Sequence, residues 1–133
     1  MAYVNNIVAA DPIYQGAART LSFTVYTEAT TDAQIAAGLG ACLDIAGYAL
    51  RWRLRDRNGL QTTRITKATS GLGIVISGTY NADPAINTQR AVVSLTAADA
   101  DLAPDTYDHG FWRTDSGSET PLCAGTAVVR VVP

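Results

Sequence analysis

Between Leu50 and Arg55 the chain reads Leu-Arg-Trp-Arg-Leu-Arg, apolar and cationic by turns. A period of two is the period of a β-strand, whose successive side chains point to opposite faces. The alternation therefore predicts a strand with Leu50, Trp52 and Leu54 buried and Arg51, Arg53 and Arg55 turned outward. The same pattern recurs at residues 19–26, where Leu21, Phe23 and Val25 alternate with Thr20, Ser22 and Thr24. Asn58-Gly59 is a tight-turn signal, and residues 61–67 beyond it are again strand-like, so residues 49–67 are predicted to form a hairpin. Residues 73–77 and 90–96 are two more short β-branched runs. Residues 106–114 and 122–132, joined by a turn cluster at 115–118, predict a second hairpin. Residues 3–9 are a weaker N-terminal strand.

Helix signals are few. Residues 32–39 suit a turn or two capped by Thr31 or Asp32, and residues 95–102 suit one turn. Neither is long enough to pack a core alone. Seven to eight short strands with turn signals between them, and no crossover helices, indicate an all-β sandwich of antiparallel strands with at most one or two very short helices. With 133 residues, 47% of them apolar, the chain is expected to be one packed domain spanning 1–133. There is no internal repeat or linker. The last strand runs to Pro133, so no second domain is expected to follow.

Charge narrows the partners. Ten basic and twelve acidic residues leave a net charge of −2, whereas a nucleic-acid-binding chain ordinarily shows a basic excess. No apolar run approaches the ~20 residues of a membrane helix, and the N-terminus has no basic segment followed by an apolar one. Cys42 and Cys123 form no Cys-x-x-Cys pair, and His109, the one histidine, cannot complete a zinc set with them. They are read as two reduced, mostly buried thiols of a chain that folds in a cytoplasm.

Residues that suggest chemistry mostly resolve into structure. Gly71-Leu72-Gly73 leads into a strand, whereas a phosphate cradle needs the N–H groups of a helix start. Asp99, Asp101 and Asp105 have a superficial calcium spacing, but Pro104 and Gly110 stand where the calcium loop wants glycine and glutamate. Any nucleophile–base set would need His109. Alternation puts it on the core face with Tyr107 and Phe111, and Asp108 points the other way. The reading is no enzyme and no cofactor, metal or small-molecule substrate.

Two features sharpen the sandwich. Trp52 sits mid-strand, where the third strand of an immunoglobulin-like sandwich carries its core tryptophan. Residues 101–107 approach Tyr107 in the manner of a tyrosine corner, in which a tyrosine hydroxyl bonds back to upstream backbone. The runs LSFTVYTEA, IAGYALRWRLRDRNG, ITKATSGLGIVI and AVVSLTAADADLAPDTYDHGFWRTDSGSETPLCAGTAVVRV together resemble small immunoglobulin-like domains of tailed-phage virion proteins. These occur at the N-terminus of upper baseplate proteins and as short proteins of tail gene clusters. Gly47, Trp52 and Leu54, then Lys67, Gly73 and Ile74, then Leu95, Asp99, Leu102 and Tyr107, then Leu122, Gly125 and Val128 carry the likeness. It spans about residues 13–132. Asp105 departs from it, standing where a glycine is usual.

The resemblance implies a non-enzymatic structural protein of a tailed bacteriophage virion. It would assemble in the bacterial host cytoplasm and attach in multiple copies, through other virion structural proteins, to the tail, baseplate or fibre-attachment region. A capsid decoration protein is an alternative within the class. A module binding a host glycan, with Trp112 as stacking platform, is an alternative outside it.

The arginine row then has three readings. If the strand pairs with residues 106–114, as strands C and F do in such sandwiches, Asp108, Gly110 and an exposed Trp112 join Arg51, Arg53 and Arg55 on one outer face, while Arg57 falls in the Asn58-Gly59 turn. Arginines stacking on Trp112, one of them neutralised by Asp108 and the rest solvated, is the intramolecular reading. A docking surface is the sharper one, because arginine and tryptophan are enriched at interface hot spots. Nucleic acid is the third, opposed by the acidic remainder of the chain. The candidate subunit contact is thus Arg51, Arg53, Arg55, Asp108 and Trp112, over a core of Trp52, Leu54, Tyr107 and Phe111.

Overall fold

The computed structural model of this chain describes residues 12–133 apart from Leu72, Ser116, Ser118 and Glu119. The strand expected at residues 3–9 lies outside the described residues. Among the described residues the strands are β1 (Ile13–Tyr14), β2 (Arg19–Phe23), β3 (Leu50–Asp56), β4 (Thr63–Ala68), β5 (Ile74–Ser77), β6 (Arg90–Leu95), β7 (Asp105–Arg113) and β8 (Thr120–Arg130), with a short α-helix, α1 (Asp32–Ala36), and a 3-10 turn at Thr69–Gly71. They form two sheets, in the orders β1-β8-β7-β3-β4 and β2-β6-β5. Among the described residues all strand pairs are antiparallel, as expected, except that the two-residue β1 departs from the expectation and runs parallel to β8. The class is all-β.

The alternating residues decide how the sheets meet. Leu50, Trp52 and Leu54 of β3, Phe111 of β7 and Val129 of β8 turn inward and are fully buried against Leu21 and Phe23 of β2 and Ala91, Val93 and Leu95 of β6. Phe23 crosses the gap between the sheets. Its ring lies 5.0 Å from Phe111 in an edge-on contact and 5.5 Å from His109, the tilted geometries that aromatic quadrupoles favour. Trp52 fills the centre.

Local departures from the sequence expectations have identifiable causes. The strand expected over 19–26 leaves its neighbour at Phe23, which faces Ala91 near the start of β6. Its continuation pairs with another segment: Leu43 N–H donates to Val25 O, Thr27 N–H donates to Ala41 O, and Tyr26 bridges Cys42. The β3–β4 connection is a six-residue loop, 57–62, rather than a tight Asn-Gly turn. A register shift after Leu54 displaces the strand ends, and both Gly59 and Gln61 adopt positive φ, 64° and 51°, to close the wider loop. The helical signals end as expected. Thr31 and Gln34 form a reciprocal capping box, Gln34 N–H to Thr31 Oγ1 at 3.2 Å and Thr31 N–H to Gln34 Oε1 at 2.8 Å, which satisfies two orphan donors at the start of α1. Residues 96–101 make one turn, closed by Ala100 N–H on Thr96 O at 3.2 Å.

Cys42 and Cys123 are both buried and no disulfide joins them. Burial pushes the Cys42 thiol pKa up, which lowers its thiolate fraction and hence its reactivity. A thiol reagent is therefore expected to react slowly with the folded protein and to find two thiols per chain once it is unfolded without reductant. Finding none in denaturant would mean that the cysteines had paired.

Candidate functional site

Strand pairing assembles the outer face. In the β3–β7 register Arg51 lies opposite Trp112, Arg53 opposite Gly110 and Arg55 opposite Asp108, while Trp52 lies opposite Phe111 and Leu54 opposite His109. The first three pairs share the outer face of the five-stranded sheet, and the other two share its inner face. The five candidate contact residues therefore come together on one surface.

Trp112 is half-buried, where the sequence suggested an exposed ring. The cause is Gly110. A Cβ at that position would stand 3.1 Å from Trp112 Cη2 and 3.4 Å from Cζ3, so the indole folds back along its own strand over the one residue with no side chain. The guanidinium carbons of Arg53 and Arg55 then lie 5.3 and 5.4 Å from the ring centroid. Each such cation–π contact contributes about 0.5–1 kcal/mol at an exposed site. Asp108 pairs with Arg57, Oδ1 to Nε at 3.5 Å. Arg57 lies at the start of the 57–62 loop, as expected, and still reaches back to this face. Continuing the alternation one step past Arg55 would have pointed to it.

Beside Trp112 the sheet dips into an open depression of 460 Å³, lined by Arg55, Asp108, His109, Trp112, Ala124, Gly125 and Thr126. It offers an aromatic wall, a guanidinium, a carboxylate and a hydroxyl, groups able to hold a polar ligand by stacking and hydrogen bonds. A second, mostly apolar cleft of 470 Å³ is lined by Tyr26, Thr27, Glu28, Leu43, Thr120, Pro121 and Leu122. No local sequence pattern marks this cleft, because its walls come from segments far apart in the chain.

The inner residues have structural partners. Trp52, Leu54 and Phe111 are fully buried and Tyr107 nearly so. The Tyr107 hydroxyl donates to Ala103 O at 2.6 Å, four residues upstream. Trp52 Nε1–H donates to His109 Nδ1 at 3.2 Å. An indole N–H can only donate, so Nδ1 of His109 is the acceptor and carries no proton. The histidine sits among the rings of Phe23 and Trp52.

Two of the three aspartates with calcium-like spacing, Asp99 and Asp105, are engaged locally. Asp99 Oδ2 lies 2.6 Å from Lys67 Nζ and accepts from Thr96 N–H at 2.8 Å. Burial alone would raise its pKa; the Lys67 ammonium and the Thr96 N–H and hydroxyl outweigh it and hold the carboxyl below its ordinary value. Asp105 Oδ1 accepts from Thr106 N–H. Among the described residues, no group of three or more His, Cys, Asp or Glu side chains is placed to hold a metal ion, and no helix is long and apolar enough to cross a membrane. Compared with known proteins, the chain matches no family model and no curated protein.

Proposed function

We propose that this chain is a non-enzymatic structural subunit of a tailed-phage particle. It is an immunoglobulin-like sandwich held in several copies at the tail, baseplate or fibre-attachment region. Its docking face is the surface of Arg51, Arg53, Arg55, Asp108 and Trp112. The strand order is the observation that carries the fold half of this reading. Sheets ordered β1-β8-β7-β3-β4 and β2-β6-β5 correspond to the G-F-C and B-E-D neighbours of such sandwiches, with β4 in the place of strand C′. The hydroxyl bond of Tyr107 to Ala103 O has the form of a tyrosine corner. The virion half rests on the sequence likeness, which follows the same strands.

The outer face supports docking by its chemistry. An arginine pair held over a half-buried indole is pre-organised, so little side-chain entropy remains to be lost on contact. Against an acidic, partly apolar partner the guanidinium groups can form charge-assisted hydrogen bonds.

The test is the double change Arg53→Glu with Trp112→Ala. Both side chains lie outside the core, so the isolated domain is expected to stay folded. Incorporation into particles is expected to fall, and to fall further at high salt if the remaining contacts are ionic. Normal incorporation of the double variant would show that the face is only solvated. The depression beside Trp112 favours one second reading, a host-glycan site. Binding on a glycan array, lost in Trp112→Ala, would favour that reading over a purely structural role.

A further inference from the structure

We propose that β5 is the seat of a two-fold contact between copies of this chain, in which the two β5 strands pair antiparallel about Val75. The contact is separate from the arginine–tryptophan face and does not depend on it. β5 is the outer strand of the sheet β2-β6-β5, and among the described residues nothing pairs with its far edge.

The direction of its backbone groups follows from the neighbouring ladder. Ser94 N–H donates to Gly73 O, and Thr88 N–H donates to Thr79 O. In the same register Val75 lies opposite Val92 and Ser77 opposite Arg90. Hydrogen-bonded pairs alternate along an antiparallel ladder, so the odd-numbered residues of this segment face β6. The N–H and C=O groups of Ile74 and Ile76 therefore point to the open edge.

Those groups make the edge complementary to itself. With Val75 opposite Val75 across a two-fold axis, Ile74 of each strand faces Ile76 of the other. Both Ile74–Ile76 pairs are then hydrogen-bonded pairs, and together they close four backbone bonds. The side chains agree. Val75 is 54% exposed, and it would meet its own copy as a non-hydrogen-bonded cross-strand pair, the closer kind. Proteins ordinarily protect an edge with lysine, proline or a bulge. β5 is Ile-Val-Ile-Ser and carries no charge. The other edges do not allow self-pairing as readily: β4 carries Arg64 and Lys67 beside a register shift, β2 begins with Arg19, and β1 has two residues.

The experiment uses the intact chain. Light scattering over a concentration series is expected to show a monomer–dimer equilibrium. Val75→Lys sets two like charges against each other at the axis while leaving an exposed position of the fold, and it is expected to yield monomer alone with an unchanged far-ultraviolet spectrum. Val75→Cys under mild oxidation is expected to give a covalent dimer, since a non-hydrogen-bonded pair sets its Cβ atoms at the short end of the cross-strand range, about 4.5 Å, within reach of a disulfide. Ser77→Cys is expected not to cross-link, because this register sets Ser77 opposite Gly73. A wild-type chain that is monomeric throughout, a Val75→Lys variant that dimerises as well as wild type, or cross-linking through Ser77→Cys rather than Val75→Cys would each overturn the proposal.

Discussion

Replacing Trp52 by alanine is expected to cost about 3–5 kcal/mol of folding stability, the range for truncating a large buried aromatic. Domains of this size are stable by only about 5–15 kcal/mol in all, so the variant is expected to be marginal or unfolded at body temperature. Two effects add. The indole is fully buried between the sheets, and its removal leaves a cavity walled by residues that strand pairing holds in place. His109 Nδ1 also loses the donor 3.2 Å away, and a buried acceptor deprived of its partner costs about 1–3 kcal/mol. Trp52→Phe separates the two, because it restores much of the volume but not the N–H. Its expected cost is smaller and dominated by the lost bond. Urea denaturation of both variants measures this, and an unchanged midpoint for Trp52→Ala would contradict the packing described above.

The second large effect is expected at a position with no side chain. Gly78 follows β5 directly with φ +83°, and a Cβ there would stand 2.0 Å from Thr88 O and 2.6 Å from Thr88 C. Non-glycine residues in the left-handed region cost about 1–2 kcal/mol from the backbone alone. The overlap falls on main chain, which cannot swing aside as a side-chain tip can. Gly78→Ala is therefore expected to destabilise by more than that figure, and to loosen the ladder that continues from β5 into the Thr79–Thr88 bonds. Gly59→Ala is the comparison. It has positive φ, 64°, but nothing within 4 Å of the added carbon, so it is expected to show the backbone cost without the clash. Equal thermal shifts in the two variants would mean that the Thr88 carbonyl can yield.

The elements legible in the sequence are those in which one face is buried and the other wet. Arg19–Phe23, Leu50–Asp56 and Arg90–Leu95 all show it, because alternate burial writes a period of two into the residue types. The outer face was legible for the same reason. Once Trp52 and Leu54 turn inward, the arginines have one direction left. What alternation does not encode is how a side chain lies after it leaves the sheet. Trp112 folds over Gly110 because glycine leaves room there, and the result is a half-buried ring held by two guanidinium groups. The loop after β3 is longer than Asn58-Gly59 implies, because that pair names a local preference while the shift in strand register sets how far the chain must travel. The Tyr26–Cys42 bridge and the apolar cleft beside Leu43 depend on contacts between segments distant in sequence, which no local pattern records.

The role proposed for this chain is that of a building block of a tailed-phage particle. Quantitative mass spectrometry of purified particles, with heads and tails separated, tests it most directly. The protein is expected in the tail fraction, at several copies for each particle and retained through stringent purification. Its recovery with heads would move it to the capsid surface as a decoration protein, and its absence from purified particles would contradict the claim.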